Sequence, residues 1–361
     1  MGIIFVLCVL CVLRSCTARL KYLDNLVSLE FLDVLGLILP LYFPFPIPEA
    51  PQLFYTFPAP FSARFPLQRN AFCGILIPMS NHTIIEPHVH MLARTTDDYH
   101  AMYDAGIRVC VEPSFWLGEN RRWAESFWDY FNLILNFETV RARRSGIDHW
   151  CAIGMNPKES EDVALASRVI DGMEEYLEHP RCVAIGEIGF NNITPNEEKA
   201  LVRQLLIAEE KKFPVVLHLP HFQKMKGITR VLEIIRAEGL TPERIDIDHN
   251  VEETIGLALE AGCYAGMTVY PFSKLSPERV SAIIKEHGSK KVIVNGSADW
   301  GVSDPLALIK VRDCLRLDGH SEETIQALTF DNANAFYAQN PKWKPIFNFH
   351  PIDPAVYQRQ P

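Results

Sequence analysis

The chain has no excess of basic residues. Its 361 residues carry 35 lysines and arginines against 44 aspartates and glutamates, a formal charge of -9, and its pI is near 5.8. That balance argues against an extended cationic surface, and so against tight binding along duplex nucleic acid as the main task. A small-molecule or nucleotide-like ligand is compatible with it, since that needs only local positive charge. The nine cysteines have no recurring spacing: Cys73, Cys110, Cys151, Cys182, Cys263 and Cys314 fall mostly inside apolar patterns. They read as buried free thiols, not a disulfide framework, and favour an intracellular or organellar compartment. Internal repeats are absent, and no segment after residue 82 is low in complexity.

Long apolar runs are also scarce. Gly2 to Leu13 is almost wholly apolar and is followed by Arg14, Ser15, Cys16, Thr17 and Ala18. It resembles a signal-peptide core with a small-residue exit. No basic residue precedes it, and its length falls short of the ~20 residues that span a bilayer. Two readings stay open: a targeting or membrane-associating leader, or an extension without catalytic consequence. The stretch from Gly36 to Phe61 is rich in Pro, Phe and Leu, and its prolines interrupt helix and exclude a central strand. Residues 1–75 are therefore read as an apolar leader and Pro/Phe-rich extension, 76–340 as the folded domain, and 341–361 as a C-terminal tail.

From about residue 82 short β-branched runs alternate with amphipathic stretches. TIIEPHVH, RVCVEPSFW, HWCAIGMNP, CVAIGEIGF, PVVLHLP, RIDIDHN, YAGMTVYP and KVIVNGSADW are mostly continuous apolar runs, as in parallel strands buried on both faces. Helix starts are marked by Thr95 with Asp98, by Ser276 before Pro277, and by Asp304 before Pro305. Gly106, Gly239 and Gly262 stand where a left-handed cap residue is wanted. Eight strand–helix units predict an α/β fold, a (β/α)8 TIM barrel with an apolar, Pro-rich N-terminal extension. A doubly wound sheet would carry a glycine-rich phosphate loop after the first strand, and none is there. Trp116 to Arg144, with three tryptophans and five arginines, predicts a long helical excursion beside the barrel mouth, serving as a lid or an oligomer contact.

His88, His90, Glu187, His218, His249 and Asp299 all fall at or near strand C-terminal ends, the active face of such barrels. Imidazole and carboxylate are the donors that Zn, Mn and similar divalent ions prefer, with Mg suited less well. In a strand, side chains two apart share a side, so His88 and His90 face one ion together. Glu187 lies in an apolar run and is costly to bury unpaired, so a metal or an arginine must compensate it. The remaining histidines, His82, His100, His149, His179, His287, His320 and His350, read as structural residues in loops or helices.

The paired histidines of the first strand, the string AIGEIGF, PVVLHLP at the fifth strand and NANAFY near the end resemble motifs of the TatD family of metal-dependent hydrolases, in the amidohydrolase superfamily. The resemblance covers roughly residues 82 to 340. It implies one or two divalent ions, with His88, His90 and Asp299 holding one, His218 and His249 the other, and Glu187 bridging.

Water activated at such a site would attack a phosphoester, or an ester or amide, with Asp299 as general base and Glu187 completing the catalytic pair. The sequence departs from the family pattern around the cage: Asn156 stands where histidine is common, Asn191 where aspartate is, Asn250 follows His249, and Ser297 stands two residues before Asp299. These departures put DNase action in doubt. Asn156, Asn191, His221, Lys224 with Lys226, and Arg121 with Arg122 are the candidate substrate contacts, each set against a solvated or structural role. A lactonase or amidase acting on a specialised metabolite is the rival enzyme, and a non-catalytic barrel serving as a binding or assembly subunit the rival of another class. Oligomeric state is not legible.

Overall fold

In the computed structural model, residues 83–352 are described. The leader, the Pro/Phe-rich extension, Cys73, His82 and the last nine residues of the tail lie outside them. Eight parallel strands follow one another in chain order: β1 (Ile84–Glu86), β2 (Ile107–Pro113), β3 (Asp148–Ile153), β4 (Cys182–Gly189), β5 (Val215–His218), β6 (Ile245–Asp248), β7 (Tyr264–Thr268) and β8 (Val292–Asn295). The barrel helices are α1 (Thr96–Asp104), α2 (Ala124–Asn132), α3 (Val163–Asp171), α4 (Pro195–Lys211), α5 (Lys224–Ala237), α6 (Ile255–Glu260), α7 (Pro277–His287) and α8 (Ala307–Leu317). The alternation expected from sequence is thus present at every step, and the fold is a (β/α)8 barrel.

Local chemistry sets the element boundaries. Thr95 and Asp98 form the reciprocal capping box at α1, and Ser276 caps α7 with Pro277 behind it. Gly106, Gly239 and Gly262 have φ of 103°, 65° and 87°. One start differs from expectation: α8 opens at Ala307 after Leu306. Asp304 accepts from Leu306 N–H at 2.9 Å, so it shapes the turn ahead of the helix. The excursion after β2 runs from α2 through a π-helical turn, Leu133–Glu138, into the helix Thr139–Arg144. That turn buries Glu138, which accepts from Tyr99 Oη at 2.7 Å and from Arg141 Nε at 2.8 Å. Arg141 in turn donates to the carbonyls of Met91 and Arg94, fixing the segment that follows His90.

The helix Asn332–Tyr337 and the chain after it cover the N-terminal end of the barrel. Phe336, Tyr337 and Trp343 pack with Ile85, Val109, Trp150 and Ile293 in one buried cluster, Asn332 Nδ2 donates to the carbonyls of Ser289 and Val292, and Ile346 N–H donates to Asp148. Cys110, Cys151, Cys182 and Cys263 are buried free thiols, and Cys314 is half-buried. Among the described residues no helix is long and apolar enough to cross a membrane.

Candidate metal centre

β1 ends two residues before His88, because Pro87 brings no N–H to the ladder. Strand alternation nevertheless persists. Val89 N–H donates to Val111 O on the β2 side at 3.1 Å, Ser297 N–H donates to His88 O at 2.8 Å, and His90 N–H donates to Ala298 O at 2.8 Å. These bonds to the segment after β8 close the barrel at its mouth. They also turn both imidazoles the same way, with His88 Nε2 and His90 Nε2 3.1 Å apart.

That separation tests the fit of a cation. His88 Nδ1 bonds Asp248 Oδ2 at 2.6 Å, and His90 Nδ1 bonds the carbonyl of Pro113 at 3.1 Å. Both acceptors take the imidazole proton from Nδ1, so with neutral rings two Nε2 lone pairs point at one another. Lone pairs converge in this way when a positive charge lies between them, and outer partners that fix the tautomer are the usual support of metal-bound histidine. His88, His90 and Glu187 form one candidate ligand group, and Glu187, His218 and His249 a second. Glu187 Oε1 is 2.7 Å from His218 Nδ1 and 2.8 Å from His249 Nε2, and 3.8 Å from His88 Nε2.

The electrostatics agree with the donor set. Burial would raise the Glu187 pKa, but the surrounding histidines, His218 and His88 foremost, hold it well below the usual carboxylate range. Burial pushes His90 and His249 well below the ordinary histidine value, which keeps their nitrogens free to ligate. Asp248 holds the outer nitrogen of His88. Burial opposes its charge, yet His249 and His88 hold it ionised, and Asn295 Nδ2 donates to Oδ1 at 3.0 Å. Gly266 is required beside it, since a Cβ there would lie 2.4 Å from Asp248 Oδ1.

Asp299 is placed differently from the other five. It lines a cavity of about 530 Å³ with His90, Glu187, His218 and His249, but belongs to neither ligand group. Its Oδ1 accepts from Tyr270 Oη and from Gly301 N–H, each at 2.8 Å.

The substrate candidates divide. Asn156, Asn191 and His221 line the cavity, although Asn156 Nδ2 donates to Glu159 at 2.6 Å. Arg121 is outside the cavity lining: it is ion-paired with buried Glu159 and its guanidinium lies over the Phe127 ring at 3.8 Å. Arg122 is exposed and outside the cavity lining. Lys224 Nζ is committed to the carbonyl of His249 at 2.7 Å, and burial lowers its pKa to about 8. Lys226 lines a separate groove of about 1110 Å³ between α4 and α5, remote from the ligand groups. His149, expected in a loop or helix, lies buried in β3 with Nε2 2.8 Å from Glu112 Oε2.

Sequence reasoning missed Asp248, Lys274, Trp116, Lys158 and Trp300. Asp248 had a signal, being the residue before His249 at the end of a strand that alternates isoleucine and aspartate. Lys274 had none; its Nζ reaches 3.2 Å from His249 Nδ1 only because the loop after β7 folds back over the mouth.

Comparison with known proteins places this site in a family. An uncharacterized metal-dependent hydrolase of Methanocaldococcus jannaschii is 28% identical over 262 residues, covering 70% of this chain and 99% of that protein. The crystal structure of a TatD-like protein from Archaeoglobus fulgidus superposes with a TM-score of 0.58 at 22% identity, covering 70% of this chain and 99% of the other. A phosphotriesterase homology protein from Escherichia coli, solved with phosphate in its active site, superposes at 0.52 with 16% identity over 72% and 99% of the two chains. Residues 87–297, more than half of the chain, match the family described as TatD related DNase. The chain belongs to that family and is a divalent-metal-dependent hydrolase.

Proposed function

We propose that the protein hydrolyses a phosphoester in a small anionic molecule, using two divalent cations, Zn or Mn by donor preference, that share Glu187. The observation that carries this reading is the placement of one carboxylate oxygen against histidines of both ligand groups. When bound, divalent cations supply Lewis acidity and lower the pKa of water toward neutrality.

The chain's own residues supply the rest. Asp248 and Pro113 O hold the His88 and His90 tautomers. Tyr270 and Gly301 occupy Oδ1 of Asp299 and orient the carboxylate, leaving Oδ2 to take the proton of the attacking water and return it to the leaving oxygen. Lys274, in the cavity wall, offers an ammonium to the anionic group being attacked. Phosphoesters are favoured over amides because two lysines, Lys158 and Lys274, face a cavity whose acids are Glu187 and Asp299.

The test is metal analysis of the purified full chain beside turnover of bis-p-nitrophenyl phosphate, lactones and amides. Two ions per chain with phosphoester turnover are expected. One ion rejects the shared-carboxylate reading, and lactone or amide turnover without phosphoester turnover rejects the reaction class.

A further inference from the structure

The mouth of the cavity carries aromatic surface that neither metal binding nor proton transfer uses. Trp116, from the loop after β2, and Trp300, from the loop after β8, meet edge-on with ring centroids 5.7 Å apart and planes at 65°. Lys158, from the loop after β3, places Nζ 3.5 Å from the Trp116 ring centroid, and Trp116 Nε1–H donates to Asn120 at 2.9 Å. The Trp116 ring is thus pinned at its polar edge, with a cation over one face. Trp300 remains 53% exposed and Phe222, after β5, 81% exposed. All four side chains line the same cavity as the ligand groups.

Large rings left in water forgo the stabilisation of burial, and a group of them at the rim of a polar-floored cavity is suited to a ligand with one flat apolar part. The cations narrow the ligand further. Lys158, after β3, and Lys274, after β7, both line the cavity, and Glu187 is committed to the histidines. Lys158 is exposed beside the rings and able to meet an anion, so a ring joined to an ionised group uses both surfaces.

We propose that Trp116, Trp300 and Lys158 form a subsite for a planar ring attached to an anionic group, the ring against the tryptophans and the anion toward Lys158 and Lys274. The subsite deepens the hydrolase reading by naming the substrate class, and relies on it only for the location of the reacting bond. Both a single aryl ring and a nucleobase have this chemistry.

Binding, which does not depend on which bond is cleaved, separates the two readings. Calorimetric titration of the metal-loaded full chain with phenylphosphonate and methylphosphonate is expected to show at least tenfold tighter binding of the phenyl compound. Trp300→Ala should remove most of that preference while leaving methylphosphonate within about twofold, in line with the usual value of stacking on an aromatic side chain. Trp300→Phe should restore most of it, and Lys158→Met should weaken phenylphosphonate at least threefold. Equal affinity of the wild type for the two phosphonates, or equal weakening of both by Trp300→Ala, overturns the subsite. A phenyl preference that depends on Trp300, found without any phosphoester turnover, supports the subsite and rejects the reaction reading alone. Adenosine 5′-monophosphate binding tighter than phenylphosphonate, and also dependent on Trp300, assigns the ring to a nucleobase; weaker binding assigns it to an aryl group.

Discussion

His88 and Asp248 are joined by a 2.6 Å hydrogen bond from imidazole Nδ1 to carboxylate Oδ2, and this bond turns His88 Nε2 toward His90. The pair links β6 to the segment after β1, across the barrel from one ligand to a residue that is not one. Asp248 also accepts from the His249 N–H at 2.7 Å, so a single carboxylate orients elements belonging to both histidine groups.

Asp248→Asn should therefore lower metal affinity by about 10- to 100-fold, the usual cost of removing an outer carboxylate from a ligating histidine. Competition with a chromogenic chelator measures it. Affinity within threefold of wild type would show that the His88 orientation is set elsewhere.

Replacing His88 and His90 together with alanine should abolish metal-dependent turnover while the far-UV circular dichroism stays that of the wild type. The two imidazoles meet at Nε2, and the barrel closure beneath them is made by backbone atoms. Turnover that survives in metal-stripped variant protein would reject the assignment of the centre.

Tyr270→Phe removes one of the two donors to Asp299 Oδ1. A loss of about tenfold in kcat with little change in KM is expected, a charge-assisted hydrogen bond being worth ~1.5–3 kcal/mol at most. Gly301→Ala should be worse, because the added Cβ would lie 2.2 Å from the Tyr270 hydroxyl and 3.1 Å from Asp299 Oδ1. Steady-state kinetics of the two variants that leave kcat unchanged would remove Asp299 from the proton-transfer role.

Burial raises Glu112 to about 8 and lowers His149 to about 4. A raised carboxylate contributes stability that is full below its unfolded value near 4.5 and is lost as pH rises through the folded value, because the folded state binds the extra proton. The depressed histidine contributes stability present above its unfolded value of 6.5 and lost on acidification toward the folded one. Between about pH 6.5 and 8 the Glu112 effect therefore stands clear of the His149 effect. Glu112→Gln, which imitates the protonated acid, should gain on wild type as pH rises through that window, by at most ~1.4 kcal/mol per pH unit. Urea denaturation at several pH values checks the sign, and a constant difference between the two proteins would contradict it.

The barrel was legible because its strands are buried on both faces and so appear as apolar runs, each followed by a helix with its own cap chemistry. Five of the six proposed ligands were legible for a related reason: a histidine or glutamate at the end of an apolar strand needs a partner for its buried polar atoms, and the C-terminal ends of parallel strands meet at one mouth. Asp299 was only partly legible. Its position after β8 brings it to the cavity, but the loop decides which of its oxygens Tyr270 and Gly301 occupy. Arg121 was misread because a cation in a polar stretch looks solvated until its partner, Glu159, is brought beneath it from a different loop.

The sequence by itself determined the strand order, the helix starts at Thr95 and Ser276, and the residue types available for metal chemistry, because these depend on periodicity and on groups a few residues apart. Only the tertiary structure decided that His88 is held by Asp248, that Lys274 reaches His249, and that Trp116 and Trp300 meet edge-on at the mouth. Such pairs lie far apart in the chain, and their distances follow from barrel closure and loop paths that no local pattern encodes.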